Sequence, residues 1–177
     1  MNVDLFMGRY SLIVSESPKT RIKYVSELVR ELIRRGYDDR IYIIDLAPQN
    51  RDIGIRLSRY LQGFKKAVYR YSREIRLPSL DKSYPVDMVF ERNRRVAEEF
   101  FNDFQLSGRD VLVVNDLYIY LLSAEPNEFL EHVKPAKTLI ASSLLSSDPL
   151  FLSSLLEPYH GRRVDELMRY MDNVIKV

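Results

Sequence analysis

Apolar positions along the chain follow two alternating rhythms. Tyr10-Ser-Leu-Ile-Val-Ser15 is a short apolar run of strand type, after which Ile22, Val25, Leu28, Val29, Leu32 and Ile33 recur at the spacing of one helical face. Gly36 stops that rhythm behind Arg34 and Arg35, cations that suit the negative end of a helix. Arg40-Ile-Tyr-Ile-Ile-Asp45 is then a second apolar run. A β-α-β unit whose strands are apolar almost throughout predicts a parallel pair covered on both faces and joined by a right-handed crossover.

The rhythm continues less evenly. Lys66-Ala-Val-Tyr-Arg-Tyr71 reads as a short strand, and residues 72–86, with Pro78 and Pro85, as a surface loop over the sheet. Val89, Val96, Ala97, Phe100, Phe101 and Phe104 predict a helix from an N-cap at Asp87 to Gly108, its aromatic stripe serving the core. Val111–Asn115 is the clearest buried strand and leads into Asp116. Short helices over 117–123 and 127–133, a strand at Lys137–Ala141 and a last helix over 162–175 complete the pattern, the last with Val164, Leu167, Met168, Met171, Val174 and Ile175 on one side. No repeat or linker interrupts it. The expectation is one α/β domain over residues 1–177: three layers, doubly wound, a mainly parallel sheet with helices on both faces.

Composition narrows the chemistry. With no Cys and two separated histidines, His132 and His160, thiol catalysis, disulfides and a zinc cluster are excluded. No apolar run is long enough to cross a bilayer, and the first residues lack a basic, apolar, small-residue signal pattern, so no membrane association and a cytoplasmic protein are expected. The absence of Cys and the many Arg, Glu and Tyr suit a heat-adapted source. The net charge of +2 conceals an uneven distribution: residues 51–76 carry eight Lys/Arg against Asp52 and Glu74, +6, which leaves −4 elsewhere. Arg51, Arg56, Arg59, Lys65, Lys66, Arg70 and Arg73 form a candidate anion or nucleic-acid patch, interleaved with Tyr60, Phe64, Tyr69 and Tyr71 that could stack on bases. A charge run of this kind is also an ordinary solvated face.

The candidate chemistry lies at strand ends. Ser17, Lys19, Thr20 and Arg21 sit where the first strand becomes a helix, a place where positive potential gathers. Asp45 and Asp116 each end an apolar strand, and parallel strands bring both toward the same sheet edge. The structural alternative is that Ser17 caps a helix with Pro18 at its first position and that the two aspartates are turn residues. Ser142, Ser143, Ser146 and Ser147 lack a nucleophile elbow, and His160 stands alone in a turn.

Lys19-Thr20, Leu32-Ile-Arg-Arg-Gly36, Tyr42-Ile-Ile-Asp-Leu-Ala-Pro-Gln-Asn-Arg-Asp-Ile-Gly54 and Val111–Asp116 together resemble the P-loop NTPases, especially the branch of polynucleotide 5′-hydroxyl kinases and cleavage factors. The resemblance covers about residues 10–56 and the strand before Asp116; residues 60–108 and 143–177 resemble no family. It implies ATP or GTP with magnesium: Lys19 on the β- and γ-phosphates, Thr20 on the metal, and Asp45 or Asp116 completing the metal site. The sequence departs from the pattern in its glycines. Their places hold Ile13 and Pro18, Pro18 has no N–H to offer phosphate, and Glu16 adds a negative charge. Two expectations follow: a P-loop NTPase-like protein with weak or vestigial nucleotide or phosphate binding and no efficient hydrolysis, or a non-catalytic binding or assembly module, with no cofactor, that meets nucleic acid or an acidic protein through residues 51–76.

Overall fold

The computed structural model describes residues 2–48, 55–61, 65–77, 85–145 and 157–177, without the side chains of 157–160. Six strands form one all-parallel sheet: β1 (Tyr10–Ser15), β2 (Ile41–Asp45), β3 (Val68–Tyr71), β4 (Val111–Asn115), β5 (Thr138–Leu144) and β6 (Asn173–Lys176), in the order β3-β2-β4-β5-β1-β6. The helices are α1 (Pro18–Arg34), α2 (Val86–Leu106), α3 (Tyr118–Leu121), α4 (Pro126–Val133) and α5 (Glu157–Met168).

Handedness decides which helix covers which face. The chain runs one way along the sheet from β1 to β2 to β3, then returns through β4 and β5 to β6. A right-handed crossover requires opposite faces for opposite directions. Accordingly α1 and the turn at Leu57–Arg59 cover one side, while α2 to α5 cover the other. Alternate strand residues divide the same way: Ile13, Ile43, Val113 and Ile140 pack with Val25, Leu28 and Leu32 of α1, and Leu12, Ile44, Val114 and Ala141 pack toward Phe101, Phe104 and Phe129. The aromatic stripe of α2 is core, as the pattern predicts: Phe101 meets Tyr120 and Phe129 edge-on, with ring centroids 5.2 and 5.8 Å apart.

The first β-α-β unit forms as read. Gly36, at φ 86°, closes α1 with the bonds Tyr37 N–H to Leu32 O at 3.1 Å and Gly36 N–H to Ile33 O at 2.9 Å, a Schellman turn that needs a residue without Cβ strain. Several elements differ from expectation: β5 runs on past Ala141 to Leu144, and β3 starts at Val68 and not at Lys66. The helix of the aromatic stripe begins two residues earlier, at Val86 behind Pro85 as N-cap, so Asp87 lies in its first turn. Residues 72–77 are not a mere excursion, because Ile75 and Leu77 are buried. Buried Asn93 of α2 clamps them, accepting from Arg76 N–H at 3.0 Å and donating to Arg76 O at 2.7 Å. The expected last helix is two elements: α5 stops at Met168, and Val174 and Ile175 belong to β6, hydrogen-bonded alongside β1. Their spacing from Leu167 and Met171 fits a helical face, but Asp172-Asn173 breaks the run and the β-branched pair suits the sheet.

Candidate functional site

In a doubly wound sheet, ligands bind beyond the carboxyl ends of the strands, where adjacent strands send their chains to opposite faces. Among the described residues three such places exist, between β1 and β5, between β2 and β4 and between β2 and β3. The expected site residues gather around them.

Between β1 and α1 the chain has only Glu16 and Ser17. Ser15 Oγ accepts the Ser17 N–H at 3.0 Å, and Ser17 Oγ in turn accepts the Thr20 N–H at 3.3 Å. Arg21 N–H bonds to Ser17 O at 3.1 Å, and Pro18 has no N–H. Among the described residues, the first turn of α1 thus keeps just the Lys19 amide for an outside partner. Glu16, Ser17, Lys19 and Thr20 are all exposed. The helix start is therefore the capped one that the sequence allowed as its structural alternative.

Arg21 departs from its neighbours. It is 2% exposed, reaches under the helix end and pairs through Nη2 with Asp116 Oδ1. Asp116 is 1% exposed and, among the described residues, the one non-glycine at positive φ, 57°. Aspartate tolerates this left-handed conformation at a cost, and such strain concentrates at functional positions. The pair is incompletely satisfied: Nε and Nη1 of Arg21 and Oδ2 of Asp116 are buried without a hydrogen bond. Burial pushes the Asp116 carboxyl up to about 6, the Arg21 guanidinium opposes that shift, and neighbouring Asp45 adds to it.

Asp45 is the opposite case. Its Oδ1 accepts from Ala47 N–H at 3.2 Å and Asn115 Nδ2 at 2.8 Å; its Oδ2 accepts from Leu57 N–H at 2.8 Å and the Tyr69 hydroxyl. Burial raises its pKa while these four donors pull it down. The carboxylate is saturated and ties β2 to β3, to β4 and to the segment entering β3. The network continues from Asn115 Oδ1 to Ser142 Oγ at 3.0 Å, and Ser142 O accepts the Leu117 N–H at 2.8 Å. Asn115, Ser142 and Tyr69 are members that sequence reasoning missed. A polar residue at the end of an otherwise apolar buried strand was the available signal.

A magnesium ion does not fit this donor set. Asp45 is filled by protein donors, Asp116 already faces a guanidinium cation, and Thr20 stands on an exposed turn. Among the described residues no group of three or more metal-binding acidic, His or Cys side chains gathers elsewhere.

The basic segment spreads along the edge strand β3. Lys65 and Lys66 are exposed, and their backbone N–H groups are held by Asp38 at 3.2 and 3.0 Å before β3 begins. Arg59 and Arg73 are also exposed. Arg56 lies 4.3 Å over the ring of Tyr71, itself 45% exposed, and donates to Ser72 O at 3.1 Å. Arg70 pairs with Asp103 at 3.3 Å. Arg51, with the Gln49-Asn-Arg-Asp-Ile-Gly54 turn, lies outside the described residues. No helix among the described residues is long and apolar enough to cross a membrane. No protein-family model matches the chain, and no curated protein matches it significantly.

Proposed function

We propose that this protein is a P-loop NTPase-like α/β module whose phosphate loop is degenerate: it takes phosphate or nucleotide weakly at the start of α1 and does not hydrolyse it efficiently. The observation that carries the reading is the two-residue connection between β1 and α1, where Ser15 takes the Ser17 N–H and Ser17 takes the N–H groups of Thr20 and Arg21. A phosphate cradle is built from several convergent backbone N–H groups and a lysine; this junction supplies Lys19 Nζ, the Lys19 amide and the Thr20 hydroxyl. In this reading Arg21 and Asp116 neutralise each other behind the loop, where an active enzyme would aim its charges at phosphate, metal and water. Both carboxylates are turned to protein partners, so neither is poised to orient a nucleophilic water.

Calorimetric titration with ATP and with GTP tests it. The expected result is binding no tighter than about millimolar, unchanged by magnesium and abolished by Lys19→Ala. No heat with either nucleotide removes the phosphate site; magnesium-dependent turnover removes the degenerate loop.

A second reading rests on the β3 edge: exposed Arg59, Lys65, Lys66 and Arg73 with Tyr71 carrying Arg56 on its face. That surface suits single-stranded nucleic acid, with cations along the backbone and one tyrosine to stack. Binding that weakens steeply with salt, and weakens further in the Arg70→Ala/Arg73→Ala variant, supports it; indifference to both removes it.

A further inference from the structure

We propose that β6 pairs with β6 of a second copy, antiparallel about Val174, so that the two six-stranded sheets become one. Among the described residues, β6 is an end strand bonded to β1 alone. Val177 N–H bonds to Val14 O at 3.0 Å, and N–H direction alternates along a strand, so the N–H and C=O groups of Val174 and Lys176 turn outward. An outward row of this kind is a template for another strand.

The side chains say which strand. Val174 and Lys176 of the strand are exposed, as is Asp172 just before it, while Asn173, Ile175 and Val177 are half-buried. With a two-fold axis through Val174, Val174 lies opposite its own copy, and Asp172 lies opposite Lys176 of the second chain at both ends. The strand is thus complementary in charge to itself run backwards. Asp172 has an oxygen to spare, since Oδ2 is the one that accepts the Tyr10 N–H. Apolar surface collects at the same place: Val174 is 39% exposed, Leu5 55% and Tyr170 50%. Leu5, Phe6, Tyr24 and Ile175 also line a cavity of about 410 Å³ beside the strand. The opposite edge is unsuited to self-pairing, because β3 presents Arg70 and Arg73 at its carboxyl end and two copies would set like charges together.

Sedimentation velocity over a concentration series tests the pairing. The wild type should pass from monomer to dimer between about 5 and 500 µM. Val174→Pro deletes the outward N–H but leaves the bonds that the Asp172 and Val177 N–H groups make to Tyr10 O and Val14 O of β1, and should weaken the dimer at least tenfold. Asp172→Lys and Lys176→Glu should each be monomeric alone, because each sets like charges opposite; mixed in equal amounts they should form a heterodimer in which both pairs are again opposite in sign. A wild type that stays monomeric at every concentration overturns the proposal. So does a dimer unaffected by Val174→Pro, or a mixture that does not pair. Should Asp172→Lys fail to fold for loss of its bond to Tyr10, Val174→Pro alone decides the matter.

Discussion

Two aspartates end neighbouring strands of the same sheet, both are essentially without solvent exposure, and the structure treats them in opposite ways. Asp45 holds four neutral donors and sits in ordinary strand conformation. Asp116 has one cation, an unsatisfied oxygen and a left-handed backbone. Filling a carboxylate with hydrogen bonds makes it a fastener; leaving it half-filled under strain beside a cation is the arrangement of a site. The difference separates a carboxylate that fastens its strand to both neighbours from one whose charge is answered by a single cation.

The sharpest way to break the comparison is Asp45→Ala. It strands Ala47 N–H, Leu57 N–H and Asn115 Nδ2, and should cost about 3–5 kcal/mol in urea unfolding. A loss below about 1 kcal/mol would mean that Asp45 fastens nothing. Arg21→Met comes next. It leaves Asp116 charged and buried above its pKa, so the expected loss is about 2–4 kcal/mol at pH 8 and much less at pH 5, where Asp116 takes up a proton. Equal losses at the two pH values would contradict the pairing.

Asp116→Asn reads the charge alone, since asparagine also tolerates positive φ. The Asp116 carboxyl is raised from 3.8 in the unfolded chain to about 6 in the folded one. The folded state therefore binds the extra proton between those values, and the stability that it lends is full below the lower pKa and lost as pH rises through the upper one. Wild type should lose up to about 3 kcal/mol relative to Asp116→Asn between pH 4 and 7; parallel profiles would rule this out. Ser17→Ala, which removes the cap of α1, should cost only about 1 kcal/mol. A near-zero effect in thermal unfolding would mean that the cap is redundant.

Legibility in the sequence followed burial. Strands covered on both faces, β1, β2, β4 and β5, are largely apolar and read directly, as did the α1 and α2 faces. The last strand did not read: an edge strand of four residues, Asn173-Val-Ile-Lys176, it holds two apolar positions, which merged with the helical spacing before it. Strand order is set by long-range pairing and leaves no local trace. Within the site, Asp45 and Asp116 could be placed at strand ends, but not their partners. Arg21 reads as any cation early in a helix until the fold turns it inward, and Asn115 and Ser142 lie inside apolar runs whose hydrogen bonds join residues 27 positions apart.

The carboxyl edge is closed by its own residues: the Ser17 amide by Ser15, the Thr20 and Arg21 amides by Ser17, Asp45 by four donors, Asp116 by Arg21. Isothermal titration of the wild type and of Lys19→Ala with ATP, with and without magnesium, tests it most directly. Millimolar binding that ignores magnesium and vanishes in Lys19→Ala is the predicted result; micromolar binding that requires magnesium would contradict it.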